Sequence, residues 1–304
     1  MESLTLNNYY NYICEFPEFL KKYLNVDIFL RLKNVSYFCG MDYASKDIYD
    51  FKVHISRYDH SISTALLTWK FTHDKAITVA ALFHDVSAPC FSHVIDYMNG
   101  DYVEQASTEE KTAEVICSSD ELRQCLKEDN INIEDIIKFD KYSIVDCRRP
   151  KLCADRVDGI FLPSIGWTGK MTIDDTKKYV DDLEVYINED NEKEIGFKHM
   201  DIALEAVSLS DDINVATHTV EDMYMMQLCA DVMKLAIKKK YITYNDLYYL
   251  TEDKLVKLLN RKRDHEFVSL WNKFKTMKKK DVPEFKIETK NKILKPLVNG
   301  VRMQ

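Results

Sequence analysis

Apolar residues recur every three to four positions along much of the chain, which is the spacing of one face of an amphipathic helix. Residues 57–71 follow this pattern, and residues 74–85 are apolar on nearly every side, with Pro89 soon after them. The second stretch is therefore predicted to be a central, buried helix. Further helices are predicted at about 199–209 and 217–240. The pattern as a whole predicts an all-α protein.

Other stretches are less regular. Residues 164–196 suit either a hairpin-like excursion or a solvated helix, and the pattern does not choose between them. Ser107, with Glu110 three residues later, predicts a capping box at the start of a helix. The tail from residue 273 is rich in lysine and is expected to supply an edge strand or a partner contact.

The composition supports helices and limits the classes of function. Of the 304 residues, seven are glycine and six are proline, whereas sheets joined by tight turns use more of both. The apolar fraction of 46% and the charged fraction of 30% are those of an ordinary globular protein. The net charge of -8 argues against broad binding to nucleic acid. Nucleic acid is therefore not expected as a partner.

The cysteines and the apolar stretches bear on location. The eight cysteines form no C-x-x-C pair, which is typical of reduced thiols in a cytoplasm. The first residues lack the basic start and apolar core of a signal peptide. No stretch approaches the roughly 18 apolar residues that a membrane span needs. We expect a cytoplasmic protein that has no membrane partner.

Two strongly polar residues, His84 and Asp85, end the apolar stretch 74–85. Burying such a pair costs several kcal/mol unless it finds partners. A shared metal ion or a hydrogen-bonded cap of the helix would supply them, and the local pattern leaves both open. His60 upstream and Asp155 downstream add an imidazole and a carboxylate, and these ligand types jointly hold divalent transition metals. Because such a metal can activate water against a phosphate ester, hydrolysis is the first hypothesis.

Three short motifs in this order resemble those of a known family. Residues 57–61 fit R-x-x-H-S, residues 84–93 fit H-D followed by P-x-F-S-H, and residues 155–158 fit D-x-x-D. The set resembles the HD-domain phosphohydrolases. Within that superfamily it is most similar to the branch of dNTP triphosphohydrolases that includes the sterile-alpha-motif HD protein. The resemblance covers about residues 28–260.

The resemblance implies a fold and a metal site. The implied fold is an all-α HD-domain helical bundle with a smaller C-terminal lobe and room for a short β excursion. The implied metal ligands are His60, His84, Asp85 and Asp155. Two imidazoles and two carboxylates suit manganese, iron, nickel, cobalt or zinc, and suit magnesium less well.

The resemblance and the basic tail together predict the domain organisation. Residues 1–265 are expected to form the HD-type phosphohydrolase domain, with its motif core at 57–158. Residues 266–304 are expected to form a C-terminal basic tail that packs on this domain or serves assembly.

The chain departs from the family at several positions near the implied metal. The family places histidines where this chain has Ala88 and Thr108, a tyrosine where it has Gly159, and a sugar-contacting glutamine where it has Tyr37. In the family, the histidine at position 108 does acid–base work and is poised by an aspartate, which this chain keeps as Asp96. The differences concern phosphate handling and nucleoside recognition, and they leave the ligands unchanged.

Other residues can replace the missing acid–base chemistry. Asp96, Glu109 and His93 are the candidate catalytic residues. A carboxylate or imidazole beside a metal can hold the attacking water or protonate the leaving oxygen.

Arg57 is the candidate substrate-binding residue. It lies about one helical turn before His60 and is expected on the same side of the helix. There it would clamp a phosphate oxygen. The alternative is a salt bridge to Asp59 or Asp158.

The sequence therefore predicts a metal-dependent phosphohydrolase that acts on a nucleotide through a metal-activated water, in the manner of a dNTP triphosphohydrolase. Two alternatives stay open. The chain could be a phosphodiesterase or 5′-monophosphatase of a related nucleotide, or a non-catalytic regulatory HD module that binds a nucleotide. The expected partner is a nucleotide or other small phosphate ester, and assembly into a homo-oligomer is left open.

Overall fold

The computed structural model describes residues 6–290 and 292–304, and it shows a mostly helical protein with a small sheet. The all-α prediction with a short β excursion is confirmed. The helices are α1 (Asn7–Ile13), α2 (Asp27–Leu30), α3 (Arg57–Thr72), α4 (Lys75–Phe83), α5 (Val94–Asn99), α6 (Thr112–Ser118), α7 (Asp120–Glu128), α8 (Ile133–Ile137), α9 (Ala154–Gly166), α10 (Asp175–Asp182), α11 (Met200–Thr217), α12 (Val220–Lys238), α13 (Asp246–Tyr249), α14 (Glu252–Asn260) and α15 (His265–Thr276). The strands are β1 (Leu183–Ile187), β2 (Lys193–Phe197), β3 (Leu297–Val298) and β4 (Val301–Arg302).

The start of α3 is fixed by a capping box. The backbone N–H of Asp59 donates to Oγ of Ser56 (3.3 Å), and the backbone N–H of Ser56 donates to Oδ2 of Asp59 (2.9 Å). These bonds satisfy backbone donors that a helix start leaves unpaired. Asp74 caps the start of α4, because its Oδ1 accepts from the backbone N–H of Ile77 (3.0 Å).

The helices α3, α4 and α9 form the centre of the larger apolar core. α3 packs against both α4 and α9, and most side chains of α4 and α9 are buried. A second apolar cluster joins α12, α14 and α15 to residues 41–49 and 90–97. The predicted ligands are carried by α3, the turn after α4 and the first turn of α9, so the larger core positions all of them.

Residues 164–196 contain both of the predicted alternatives. The stretch first forms α10, and it then forms a hairpin in which β1 pairs antiparallel with β2. The turn between the strands depends on Asn188, whose Oδ1 accepts from the N–H groups of Asp190 and Glu192 (3.0 Å each). This side chain replaces backbone hydrogen bonds that the turn leaves open.

The C-terminal tail completes the sheet, whose strand order is β1-β2-β3-β4. β3 pairs parallel with β2, with Leu297 opposite Gly196, and β4 folds back antiparallel on β3. β4 therefore lies at one edge, and the predicted edge strand is confirmed. The residues before β3 run over the surface of the helical core.

The predicted capping box at Ser107 is wrong. Residues 107–109 form a single 3-10 turn, and the next α-helix begins at Thr112. Oγ of Ser107 accepts from Nδ2 of Asn99 (3.1 Å), and its backbone N–H donates to Oδ1 of Asp96 (3.1 Å). Tertiary hydrogen bonds have replaced the local cap.

Residues 1–5, in which no signal peptide was predicted, lie outside the described residues. Within the described ranges, no helix is both long enough and apolar enough to cross a membrane. All eight cysteines, which are among the residues described, are free thiols.

Candidate metal centre

Three of the four predicted ligands converge at one point. Single donor atoms of His60, His84 and Asp155 lie within 4.8 Å of one another. Nε2 of His60 is 2.9 Å from Oδ1 of Asp155, and Nε2 of His84 is 3.5 Å from the same oxygen. Both imidazoles are buried, and Asp155 is half-buried. The three side chains come from α3, the end of α4 and the first turn of α9.

The orientation of His60 is set by a carboxylate behind it. Nδ1 of His60 lies 2.6 Å from Oδ2 of Asp158, which is fully buried. The hydroxyl of Tyr9 donates to Oδ1 of Asp158 (2.5 Å). When Nδ1 donates to Asp158, Nε2 is left as the atom with a lone pair, and it faces Asp155. A carboxylate behind an imidazole in this way is the common arrangement around a metal-bound histidine.

The orientation of His84 is set by the helix that it ends. Its Nδ1 lies 2.7 Å from the carbonyl oxygen of Ala81, so this nitrogen carries the proton and donates. Nε2 is then an acceptor, and among the described residues it has no hydrogen-bond partner although it is buried. Buried polar atoms without a partner are rare in folded proteins. A cation bound between His84, His60 and Asp155 would satisfy this atom.

Asp85 reaches the same place but is held by Arg57. Oδ2 of Asp85 is 3.8 Å from Nε2 of both His60 and His84. It accepts from Nη1 of Arg57 (2.6 Å), and Nε of Arg57 donates to Oγ of Ser92 (3.2 Å). The alternative prediction, a salt bridge from Arg57 to Asp59 or to Asp158, is wrong.

Charge balance couples these groups. Burial alone would raise the pKa of Asp85, but Arg57, followed by the two histidines, holds it well below its usual range. Burial alone would lower the pKa of His60, but hydrogen bonds to Asp155 and Asp158 outweigh it and raise the pKa to about 10. The carboxylates therefore favour a positive charge at this point, which a proton or a metal ion can supply.

The donor set fits a divalent transition metal. Two imidazole nitrogens and one or two carboxylate oxygens suit manganese, iron, cobalt, nickel or zinc better than magnesium, which prefers oxygen ligands. Asp155 is also close to a second set of potential ligands, Asp146 and Cys153. The guanidinium of Arg156 lies 3.8 Å from Asp146 and opposes a further cation there.

The three candidate catalytic residues occupy different positions. Glu109 and His93 line the cavity that contains the predicted ligands. Asp96 is fully buried, and its two oxygens accept from Nδ1 of His93 (2.9 Å) and the backbone N–H of Ser107 (3.1 Å). Asp96 does not belong to the described lining of this cavity, but its hydrogen bond to Nδ1 orients His93, which does. Burial, followed by repulsion from Asp85, raises the pKa of Glu109 to about 7.

Two positions at which the chain departs from the family that its motifs resemble are adjacent in space. Gly159 lies beside Tyr37, and a Cβ atom at position 159 would stand 3.4 Å from the hydroxyl oxygen of Tyr37. The ring of Tyr37 packs on His60, with ring centroids 4.8 Å apart, and on the guanidinium of Arg57, 5.0 Å from the ring centroid. Tyr37 thus places an aromatic ring next to the space that Gly159 leaves open.

The cavity has a volume of about 330 Å³ and is lined by all four predicted ligands and by Arg57. Its apolar wall is aromatic and includes Tyr37, Phe38, Phe51, Phe139 and Trp167. The polar residues of the lining that the sequence predictions missed include Arg149, Asp222, Lys290 and Lys292. The available signal was weak: residues 290 and 292 would share one side of an extended chain.

The chain is distantly similar to one protein of the metal-dependent phosphohydrolase class and to one protein without an assigned function. The first is the metal-dependent phosphohydrolase cns2 of Cordyceps militaris, 26% identical over 132 residues, which are 43% of this chain and 37% of cns2. The second is the uncharacterized protein YdhJ of Bacillus subtilis, 24% identical over 220 residues, which are 72% of this chain and 65% of YdhJ. No protein-family model matches the chain.

The matched regions span less than two thirds of either relative's own length. The similarity to cns2, together with the cluster of His60, His84 and Asp155, supports the metal-dependent phosphohydrolase superfamily. The dNTP triphosphohydrolase branch stays a prediction.

Proposed function

We propose that this protein is a metal-dependent phosphohydrolase that acts on a nucleotide, with His60, His84, Asp85 and Asp155 as the metal ligands. The observation that carries the proposal is the buried Nε2 of His84, which has no hydrogen-bond partner in the described part of the chain. It faces Nε2 of His60 and Oδ1 of Asp155, both oriented toward the same point. The similarity to cns2 is in accord with this chemistry.

A divalent metal ion held there would lower the pKa of a bound water and neutralise charge on a phosphate ester. Manganese, iron, nickel, cobalt and zinc are the proposed ions. Arg57 holds Asp85 by a charged hydrogen bond and so fixes the direction of its carboxylate.

Proton transfer is assigned to Glu109 and His93. Glu109 has a pKa near 7, so at neutral pH its carboxyl can both release and accept a proton, as a general acid or base requires. His93 is half-buried in the cavity wall and is oriented by Asp96. Asp96 is a positioning residue in this scheme.

The aromatic wall of the cavity supports a nucleotide as the substrate. The aromatic side chains of Tyr37, Phe38, Phe51 and Trp167 form an apolar wall against which a base can pack, while the ligands and Arg57 form a charged region suited to phosphate. Hydrolysis of a dNTP to nucleoside and triphosphate is the reaction of the family that the motifs resemble. Cleavage of a monophosphate or a phosphodiester would use the same ligands. We further propose that the protein acts in the cytoplasm, where its thiols stay reduced.

The test compares bound metal and turnover in matched variants. The purified chain is analysed for metals and is then assayed with added manganese against nucleoside mono-, di- and triphosphates and cyclic dinucleotides. Free phosphate, triphosphate and linear dinucleotide distinguish the reactions. His84→Ala is expected to lose metal and turnover together.

The control is His73→Asn, because His73 and Asp74 form another His-Asp pair that is exposed at the end of α3. This variant is expected to behave as the unaltered protein. Absence of both bound metal and turnover in the unaltered protein would contradict the proposal. Metal and nucleotide binding without turnover would favour the non-catalytic module instead.

A further inference from the structure

The C-terminal tail crosses the cavity before it enters the sheet. The backbone N–H of Lys290 donates to the carbonyl oxygen of Tyr102 (3.2 Å), and its Nζ donates to the carbonyl oxygen of Glu104 (2.9 Å). Further on, Nη1 of Arg149 donates to the carbonyl oxygen of Lys292 (2.9 Å). The backbone N–H of Lys295 donates to the carbonyl oxygen of Pro150 (3.0 Å). These bonds tie the tail to the loop after α5 and to the loop before α9.

This path brings three cationic side chains to the lining of the cavity, those of Arg149, Lys290 and Lys292. All three are half-buried. Within residues 6–290 and 292–304, neither Arg149 nor Lys292 forms an ion pair with a carboxylate, whereas Arg57 in the same cavity is paired with Asp85. Asp155 attracts Arg149 and Asp222 attracts Lys292 from beyond ion-pair distance, so this positive charge is compensated only in part.

The electrostatics of these groups agree with their positions. Burial, followed by the charge of Arg149, lowers the pKa of Lys292. Burial, followed by the charge of Arg156, lowers the pKa of Arg149 to about 10. Asp222 lines the same cavity but accepts from the hydroxyl of Tyr49 (2.7 Å), and burial raises its pKa to about 7. Asp222 is thus only partly ionised at neutral pH.

A cluster of like charges in a partly desolvated cavity is unfavourable unless an anion occupies it. The charge of Arg149 interacts with that of Asp155 and with that of Lys292. The cationic cluster therefore begins near the candidate metal ligands and continues into the cavity. Phosphate is an anion that both lysine and arginine side chains bind through charged hydrogen bonds.

We propose that Arg149, Lys290 and Lys292 form a second phosphate site, which binds a phosphate group of the substrate other than the one at His60, His84 and Asp155. This proposal rests on the proposed function for the identity of the substrate. The substrate class is a nucleotide that carries at least two phosphate groups. The residues of the second site lie outside the catalytic motifs, and two of them come from the tail.

The first experiment measures binding of inorganic pyrophosphate by calorimetry, with the full chain as purified and again after treatment with EDTA. Binding that persists after EDTA belongs to the second site. Lys292→Met is expected to weaken it by roughly tenfold or more, because a charged hydrogen bond is lost. Lys292→Arg is expected to retain it. Lys295→Met is the matched control, because Lys295 is exposed on the same tail.

Two results would overturn the second site: equal pyrophosphate binding by Lys292→Met and the control, or loss of binding by Lys292→Arg in a protein whose thermal unfolding is unchanged. If Lys292→Met fails to fold, Arg149→Met takes its place, with the same expected loss. Raising the salt concentration is expected to weaken the binding of pyrophosphate to the unaltered protein.

The second experiment separates this proposal from the proposed function. Turnover is compared for a nucleoside monophosphate, a diphosphate and a 3′,5′-bisphosphate. Lys292→Met is expected to raise KM about tenfold for the substrates with two phosphates and to leave the monophosphate unchanged. The diphosphate and the bisphosphate distinguish a phosphate chain from two separate groups. Binding of pyrophosphate that depends on Lys292, without turnover of any substrate, would reject the hydrolase and retain the site. Equal effects on all substrates would reject the site and retain the hydrolase.

Discussion

Oδ2 of Asp158 lies 2.6 Å from Nδ1 of His60, and the hydroxyl of Tyr9 donates to the other oxygen of this carboxylate. The three side chains form a buried chain of hydrogen bonds that ends at the candidate metal centre. Asp158 determines which nitrogen of His60 carries the proton, and thereby which nitrogen is free to bind a metal.

Asp158→Asn is expected to weaken metal binding about 10- to 100-fold, because the amide keeps the shape of the side chain but loses the charge that orients and polarises His60. The measurement is competition for manganese or zinc with a chelator of known affinity. Asp174→Asn is the control, since Asp174 accepts from a tyrosine hydroxyl at the surface, that of Tyr12. Equal metal affinity in Asp158→Asn and the control would show that Asp158 does not position His60.

Arg57→Met is expected to destabilise the metal-free protein by about 3 kcal/mol, because it leaves the buried charge of Asp85 without its partner. The side chains of Arg57 and Asp85 are 8% and 13% exposed. Urea unfolding in the presence of EDTA measures the free energy of unfolding of the metal-free protein. Lys177→Met is the contrasting variant, because Lys177 and Asp181 form an exposed pair one turn apart. It is expected to cost less than about 0.5 kcal/mol.

The double variant Arg57→Met/Asp85→Asn tests the cause of this loss. Removal of the charge at position 85 is expected to recover part of the stability that Arg57→Met loses. If the double variant is as unstable as the sum of the two single variants, the ion pair is not the source of the effect.

The helices could be predicted from the sequence because their apolar periodicity is local. The predicted ranges 57–71 and 74–85 differ by a few residues from α3 and α4. The path of the tail could not be predicted in this way. It depends on hydrogen bonds between residues far apart in the chain, such as that from the side-chain Nη1 of Arg149 to the carbonyl oxygen of Lys292.

The candidate ligands were found by motif, and the structure brings His60, His84 and Asp155 together. The roles of their neighbours needed coordinates. Arg57 pairs with Asp85 because the turn after α4 folds back toward α3, which no spacing in the sequence indicates. Asp96 lies close in sequence to the candidate site, but its carboxylate is fully buried and does not belong to the described lining of the cavity.

The stability of the protein is expected to fall as the pH rises from 5 to 8, in part because of Glu252. This buried carboxyl accepts from the backbone N–H of Phe91 (2.8 Å), and burial raises its pKa from 4.5 to about 8. The folded protein therefore holds this proton more tightly than the unfolded chain. The resulting stabilisation is complete below pH 4.5 and is lost as the pH rises through 8, at no more than about 1.4 kcal/mol per pH unit.

Glu252→Gln keeps an acceptor for Phe91 and removes the titration, so its free energy of unfolding should depend less on pH over this range. Urea unfolding at half-unit steps of pH measures the slope. Glu284→Gln, at an exposed position of the tail, should keep the slope of the unaltered protein. Equal slopes for Glu252→Gln and the unaltered protein would mean that another group is responsible.

Gly40→Ala is expected to destabilise the protein by about 3 kcal/mol through two effects that a control can separate. Gly40 has φ of +71°, which costs a residue with a side chain about 1 kcal/mol. Its Cβ would also overlap Cδ1 of the fully buried ring of Phe91, and overpacking adds about 2 kcal/mol. Gly100 has φ of +74° with no atom within 4 Å of its Cβ position in the described structure. Gly100→Ala should therefore show the backbone cost alone, about 1 kcal/mol.

The contact between Gly40 and Phe91 also links this variant to the candidate metal centre. The residue after Phe91, Ser92, accepts from Arg57, so displacement of the ring should weaken metal binding in Gly40→Ala and not in Gly100→Ala. Chemical unfolding measures the loss of stability, and chelator competition measures the loss of metal affinity. Equal results for the two variants in both measurements would contradict the role assigned to the contact, because the backbone cost alone would then account for them.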